Sequence, residues 1–239
     1  MLSETKAIVL SKLKFNDNDL IIKCFTEQRG VVSYLVKGAF KSNKKNPVIG
    51  YYQVLSQLIL IDDFKPNRNL QYIKEVKSLC IYQTLNSDIY KSTLALFLSE
   101  VLAACLKEES KNEELFSYLS NSFQFIDHED DIANFHLMFL LRLSQYLGFY
   151  PESKIESFDY FDLESGLFTH SNTGIYAITG ENVTLLKQFL ETKFEAFHSI
   201  KLSAAKRQSF LNTLLVYYDL QLGSFKKPKS LEVLHQVFH

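Results

Sequence analysis

Three short apolar stretches near the N-terminus decide the fold: KAIVLSKL (residues 6–13), LIIKCFT (20–26) and VVSYLVK (31–37). Each is seven or eight residues long and rich in β-branched side chains, which favour the extended conformation of a strand. A polar run at 15–19 separates the first two, and Gln28-Arg29-Gly30 separates the second from the third. Short strands with turn signals between them predict a small antiparallel barrel or sandwich.

The pattern changes after two further predicted strands. An apolar run at 51–61 and a hairpin loop at 62–69 lead to the last predicted strand, 70–79. From about residue 81 the apolar side chains recur at helical spacing. The resulting fold class is α+β, with a β domain over residues 1–80 and a helical domain after it.

The second domain, residues 81–239, is predicted to be all-helical apart from one insertion. Apolar periodicity predicts helices after residue 81 and at 113–126, 132–147, 181–197 and 203–222. An irregular, β-hairpin-like insertion is expected at about 155–180, because turn signals such as Glu164-Ser165-Gly166 interrupt the helical pattern there.

The two domains differ in charge. Residues 1–80 carry 13 Lys and Arg against 7 Asp and Glu, a net charge of +6, whereas residues 81–239 carry 13 against 20, a net charge of −7. A basic module is the electrostatic footprint of a protein that binds a polyanion, because each cation near a phosphate releases condensed counterions. Uneven surface charge without a ligand is the plain alternative.

The remaining composition limits the classes of protein. Three widely spaced cysteines argue against a disulfide framework, and no apolar stretch reaches the roughly 18 residues of a membrane span. The N-terminus lacks the features of a signal peptide, so we expect a cytoplasmic protein with no membrane partner.

The basic side chains of the first domain cluster at its predicted loops, where oligonucleotide-binding barrels contact phosphates while aromatic rings stack on bases. The predicted DNA-binding residues are Lys12, Lys14, Arg29, Lys37, Lys41, Lys44, Lys45 and Arg68. The candidate stacking rings are Phe15, Tyr34, Phe40 and Phe64. Core packing is the alternative for each ring, and a solvated loop is the alternative for the lysines.

Catalytic motifs are missing from the sequence. It contains no glycine-rich phosphate loop, no Gly-x-Ser-x-Gly and no His-Glu-x-x-His. Residues 128–131 (HEDD) resemble a metal-binding cluster, but an acidic first turn of the third helix explains them better. We therefore predict no catalytic residue, no metal ligand and no cofactor.

A series of different short motifs lies along the chain. In the first domain they are Ala7-Ile8-Val9-Leu10, Phe15 with Asp17 and Asp19, Phe25-Thr26, Gly30, and Lys37-Gly38-Ala39 with Lys41. In the second they are Leu98 with Glu100, Leu115-Phe116, Leu140-Leu141-Arg142-Leu143, Leu147-Gly148-Phe149 with Pro151, Leu222-Gly223 and Lys229-Ser230. Their order and spacing resemble those of the bacterial recombination mediator family RecO over nearly the whole chain.

This resemblance implies an oligonucleotide-binding (OB) barrel followed by a helical domain, and a non-enzymatic, nucleoid-associated role in recombinational DNA repair. The implied activities are binding of single- and double-stranded DNA, annealing of complementary strands, and loading of RecA onto strands coated by single-stranded-DNA-binding protein. The implied protein partners are the acidic C-terminal tail of that coating protein and the mediator RecR. A scaffold whose barrel binds RNA or peptide is the alternative, and a hydrolase with an unrecognised site is a third class.

Two features bear on partners and metals. Residues 201–239 hold six basic and two acidic side chains, and either DNA or an acidic protein would suit the basic residues Lys206, Arg207, Lys226, Lys227 and Lys229. Complementing a helix dipole is an equal alternative for the 226–227 pair. Many family members bind zinc through four cysteines in the segment matching 158–180, which holds no cysteine here.

Overall fold

The computed structural model describes residues 2–40, 48–106, 111–151 and 158–238. Contacts group the chain into two compact units. The first comprises residues 1–129 with 228–234, and the second comprises 130–227 with 235–239. The barrel therefore shares a unit with the first helices, and a separate folding domain ending at residue 80 stays a prediction.

Five strands close into a barrel in the order β1-β2-β3-β5-β4. They are β1 (Ser3–Phe15), β2 (Asp19–Thr26), β3 (Gly30–Val36), β4 (Gln57–Asp62) and β5 (Gln71–Ser78). All neighbours pair antiparallel except β3 and β5, which are parallel and place Leu35 opposite Tyr72. The predicted α+β class, with an OB-like barrel at the N-terminus, is confirmed.

Strand β1 is long enough to pair with two neighbouring strands of the barrel. Its residues 3–8 pair with β4 and its residues 7–15 pair with β2, with a change of register between Val9 and Ser11. Side chains from all five strands fill the interior. Residues 11–18 are all exposed, so this end of the β1–β2 hairpin lies outside the barrel core.

The strand predicted over 51–61 starts later than expected. A 3₁₀ turn, Val48–Tyr51, precedes β4, and Leu55 has a φ of 62°, in the left-handed region. Leu55 donates its backbone N–H to the carbonyl of Val9 at 2.7 Å. The apolar side chains before β4 are thus used in a turn that covers the barrel, because burial does not require strand pairing.

The first unit also contains the helices α1 (Ile89–Cys105) and α2 (Glu113–His128). Helix α1 begins eight residues later than the change of periodicity suggested. The preceding turn is fastened to Asp127 of α2, whose carboxylate accepts backbone N–H groups from Gln83, Thr84 and Leu85 at 2.7–2.8 Å. Burial opposes ionisation of Asp127, but these donors outweigh it and hold the pKa of this carboxyl below its ordinary value.

The second unit surrounds an apolar helix, α3 (Phe135–Tyr146). The insertion is a three-stranded antiparallel sheet of order β7-β6-β8. The elements after α3 are β6 (Tyr160–Asp162), β7 (Leu167–Thr169), β8 (Ala177–Thr179), α4 (Glu181–Glu191), α5 (Ala204–Leu222) and the short α6 (Leu231–Val237), whose residues up to Leu234 group with the first unit.

Two helix predictions were wrong in this region. The acidic run 128–131 does not open the third helix, since α2 continues to His128 and α3 starts at Phe135. The helix predicted over 181–197 ends at Glu191 and is followed by a 3₁₀ turn, Phe194–Ser199. Among the described residues, no helix combines the length and apolar character needed to cross a bilayer.

Candidate nucleic-acid interface

The exposed end of the β1–β2 hairpin packs beside the segment that follows β3. Phe40 donates its backbone N–H to the carbonyl of Asn18 at 3.1 Å. Gly38 donates its backbone N–H to Asp19 Oδ1 at 2.8 Å. Glycine suits position 38 because its φ of 67° is left-handed. These bonds fix the two loops relative to each other.

An exposed cation and two exposed rings lie at the end of β1 and in the segment after β3. Lys14 Nζ is 5.6 Å from the ring centroid of Phe40. Phe15, at the end of β1, is exposed as well. Both rings were predicted as stacking candidates, and the structure leaves them accessible.

A second group forms where β3 and β5 pair. Lys37 Nζ lies 5.2 Å from the ring centroid of Tyr72, and the guanidinium carbon of Arg68 lies 5.8 Å from the same centroid. Tyr72 is 37% exposed. The sequence prediction missed this tyrosine. In the last predicted strand it precedes the apolar Ile73, and strand alternation from that residue was the signal that could have placed the tyrosine on the outer face.

The side chain of Gln71 forms hydrogen bonds to the backbone of the loop that carries Arg68. This buried amide accepts the backbone N–H of Lys65 at 3.0 Å and donates to the carbonyls of Lys65 and Arg68 at 2.8 and 2.7 Å. The Arg68 side chain is exposed. The backbone bonds therefore hold the loop while leaving its cation accessible to a ligand.

Arg29 has partners within the barrel. Its NH1 donates to Asp62 Oδ2 at 2.8 Å, and its guanidinium lies 4.4 Å from the ring centroid of Phe64. Asp62 is 0% exposed and also accepts hydrogen bonds from Ser3 and Tyr34, both at 2.9 Å. The charge of Arg29 is thus compensated by a buried carboxylate, and a DNA contact by this residue stays a prediction.

Tyr34 was wrongly considered as a stacking ring. It is fully buried in the barrel core, because the strand alternation points it inward. Burial raises the pKa of its hydroxyl, and the charge of Asp62 raises it further. Phe64, another candidate, is half-buried against the core and covered by Arg29, so its ring is not open for stacking.

Lys12 adds a further cation to the hairpin. Its ammonium donates to Gln53 Oε1 at 2.7 Å, and partial burial lowers its pKa. The predicted residues Lys41, Lys44 and Lys45 lie outside the described residues. The structure thus gives exposed positions to Lys12, Lys14, Lys37 and Arg68 among the eight predicted residues.

The basic residues near the C-terminus divide into two kinds. Arg207 is partly buried and donates to Asn134, Leu202 and Phe238, so it serves packing within the second unit. Lys206 forms an ion pair with Glu181. Lys206 is nevertheless exposed, as are Lys226, Lys227 and Lys229.

The small sheet does not fit a zinc site. Phe161 of β6 is buried and packs against Phe168 and Tyr217, with ring centroids 4.9 and 5.6 Å away. Gln221 donates to the carbonyls of Leu163 and Glu164 at 2.9 Å. In the described parts of the chain, no group of three His, Cys, Asp or Glu side chains is arranged to hold a metal ion. Aromatic packing organises this sheet.

The barrel loops together present cations beside accessible rings. Such an arrangement suits a ligand with regularly spaced phosphates and flat bases, because the cations neutralise the former and the rings stack on the latter.

Comparison with known proteins also indicates a protein that acts on DNA. Residues 1–82 match the family model described as Recombination protein O N terminal, and residues 86–232 match Recombination protein O C terminal. The chain is 44% identical over 238 residues to a DNA repair protein RecO of Christiangramia forsetii, covering 100% of both chains. Proteins of the same name from Flavobacterium johnsoniae and Bacteroides fragilis are 42% and 36% identical, with 98% and 100% of each chain covered.

Proposed function

The chain belongs to the RecO family of recombinational DNA repair proteins, and we propose that it acts as a mediator that binds DNA through the loops of its barrel. It binds single- and double-stranded DNA, anneals complementary strands, and assists the loading of RecA onto strands coated by single-stranded-DNA-binding protein. The observation that carries the proposal is the set of exposed cations and rings on the barrel loops.

The physical mechanism is charge neutralisation with base stacking. Phosphate contacts are the same for every base, and a ring stacks on any base, so binding is largely indifferent to sequence. Annealing is favoured because neutralisation reduces the repulsion between two strands. The proposed protein partners are RecR and the acidic tail of the coating protein, for which the exposed lysines at 226, 227 and 229 offer positive charge.

A titration of fluorescent single-stranded DNA tests the proposal, with unlabelled duplex DNA and RNA as competitors. The test variant replaces four exposed cations by glutamine: Lys12, Lys14, Lys37 and Arg68. Its matched control replaces four exposed lysines outside the barrel loops: Lys6, Lys111, Lys193 and Lys201.

We expect the first variant to bind both forms of DNA more weakly and with a shallower dependence on salt, and the control to bind like the wild type. Equal binding by the two variants would refute the placement of the site. Strong preference for RNA would support the scaffold alternative. Annealing of complementary strands and RecA loading on coated strands are then measured with the same pair.

A further inference from the structure

We infer that Tyr72, Lys37 and Arg68 form a subsite for one unpaired nucleotide, in which the ring stacks on the base and the two cations bind the flanking phosphates. This inference rests on the proposed function and adds to it a reason for preferring single strands. The three side chains are hereafter called the Tyr72 subsite.

The ring is presented on a rigid support. Tyr72 lies in β5, which pairs on one side with β3 and on the other with β4. Its neighbours in sequence, Gln71 and Ile73, are turned toward the barrel core. The strand therefore fixes the outward direction of the ring before a ligand arrives, which limits the ordering that stacking requires.

The cations reach the ring from two separate segments. Lys37 follows β3, whereas Arg68 lies in the loop before β5. The backbone of that loop is already fastened by Gln71, so the Arg68 side chain is not required to hold it. An exposed cation over an aromatic ring is a weak pair, and a phosphate binds a guanidinium or ammonium more strongly. Arriving DNA can therefore draw both cations to its phosphates and leave the ring face to a base.

Duplex DNA cannot use the ring in this way. Its base faces are stacked on their neighbours, so at this subsite a duplex can use the two cations but not the face of the ring. Single strands use all three side chains. The subsite thus converts a general attraction for phosphate into a preference for the unpaired form.

The experiment compares Tyr72→Leu with Tyr72→Phe in the full chain, using labelled oligo-dT and a duplex of the same length. Tyr176→Leu is the matched control, because this tyrosine is also 37% exposed and lies in the second unit. Urea unfolding of each variant reports whether its stability is unchanged.

We expect Tyr72→Leu to weaken oligo-dT binding by roughly 5- to 100-fold, while Tyr72→Phe and Tyr176→Leu bind like the wild type. The slope of log affinity against log salt should not change, because no phosphate contact is lost. Duplex binding should stay within about twofold of the wild type. Lys37→Gln should instead flatten the salt slope for both ligands.

A strand of abasic sites provides a test from the ligand side. It keeps the phosphates and removes the bases, so the wild type should bind it more weakly than oligo-dT, and Tyr72→Leu should show a smaller difference between the two. If Tyr72→Leu binds oligo-dT as tightly as the wild type does, the subsite is overturned and the proposed function stands. Failure of the wild type to bind any DNA would overturn both.

Discussion

Removing the guanidinium of Arg29 should destabilise the barrel strongly. Arg29→Met keeps most of the aliphatic stem and leaves the carboxylate of Asp62 without its cation. The NH1–Oδ2 distance is 2.8 Å, and the two side chains are 17% and 0% exposed. Breaking a buried ion pair on one side costs about 3–5 kcal/mol, because an uncompensated charge stays in a poorly solvated place.

The structure favours the lower end of this range. Ser3 and Tyr34 continue to donate hydrogen bonds to Asp62 when the guanidinium is gone. We therefore expect a loss of about 3 kcal/mol in the free energy of unfolding. Adding Asp62→Asn to Arg29→Met removes the stranded charge, so the double variant should be more stable than Arg29→Met alone.

Urea unfolding followed by far-UV circular dichroism measures both effects, with an unchanged m-value as the condition for comparison. The matched control is Lys6→Met, which breaks the exposed pair between Lys6 and Glu27 at 3.0 Å and should cost under about 1 kcal/mol. Equal costs for Arg29→Met and Lys6→Met would refute the reasoning. Reduced DNA affinity at unchanged stability would instead give Arg29 the contact with DNA that the sequence suggested.

The remaining predictions concern other buried groups and the salt slope. Asp127→Ala leaves three backbone N–H groups without their acceptor and should lower the free energy of unfolding, measured in urea, by at least about 3 kcal/mol. Burial first, then the charges of Arg207 and His235, lower the pKa of His136 to about 3. Below pH 6.5 the unfolded chain protonates this histidine, whereas the folded chain does so only near its own lowered pKa. The free energy of unfolding is therefore unaffected above pH 6.5 and falls by about 1.4 kcal/mol per pH unit between these two pKa values. Accordingly, His136→Phe should lose less stability than the wild type between pH 7 and 4.5. Arg68→Gln should reduce the salt slope for single strands by about 0.7, measured by titration at several salt concentrations.

The strands were predictable because their signals are local. The apolar runs 6–13, 20–26 and 31–37 became β1, β2 and β3 with ends shifted by a few residues. Closure into a barrel depends on the β3–β5 and β1–β4 pairs, whose partners are up to 59 residues apart in sequence. No local pattern encodes that distance, so strand signals alone do not distinguish a barrel from a sandwich.

The site was predictable in kind and less so in detail. Position in or beside the predicted turns identified Lys12, Lys14, Lys37 and Arg68 as exposed cations, since charged side chains there rarely become buried. It could not separate Arg29 from them, because the buried Asp62 that pairs with it lies 33 residues away.

The sequence could not separate buried from exposed tyrosine rings for the same reason. Tyr34 and Tyr72 are both strand tyrosines, and only the register of the barrel turns one inward and the other outward. The helix boundary at 128–135 shows a related limit. Asp127 extends α2 through bonds to a segment more than 40 residues earlier, which periodicity does not detect.

The most direct test of the nucleic-acid interface is the salt dependence of single-strand binding. If the four exposed cations Lys12, Lys14, Lys37 and Arg68 each neutralise one phosphate, together they contribute about −3 to the slope of log affinity against log salt concentration for oligo-dT. Replacing all four by glutamine should make the slope shallower by about that amount. A wild-type affinity that does not change between low and high salt would contradict the account.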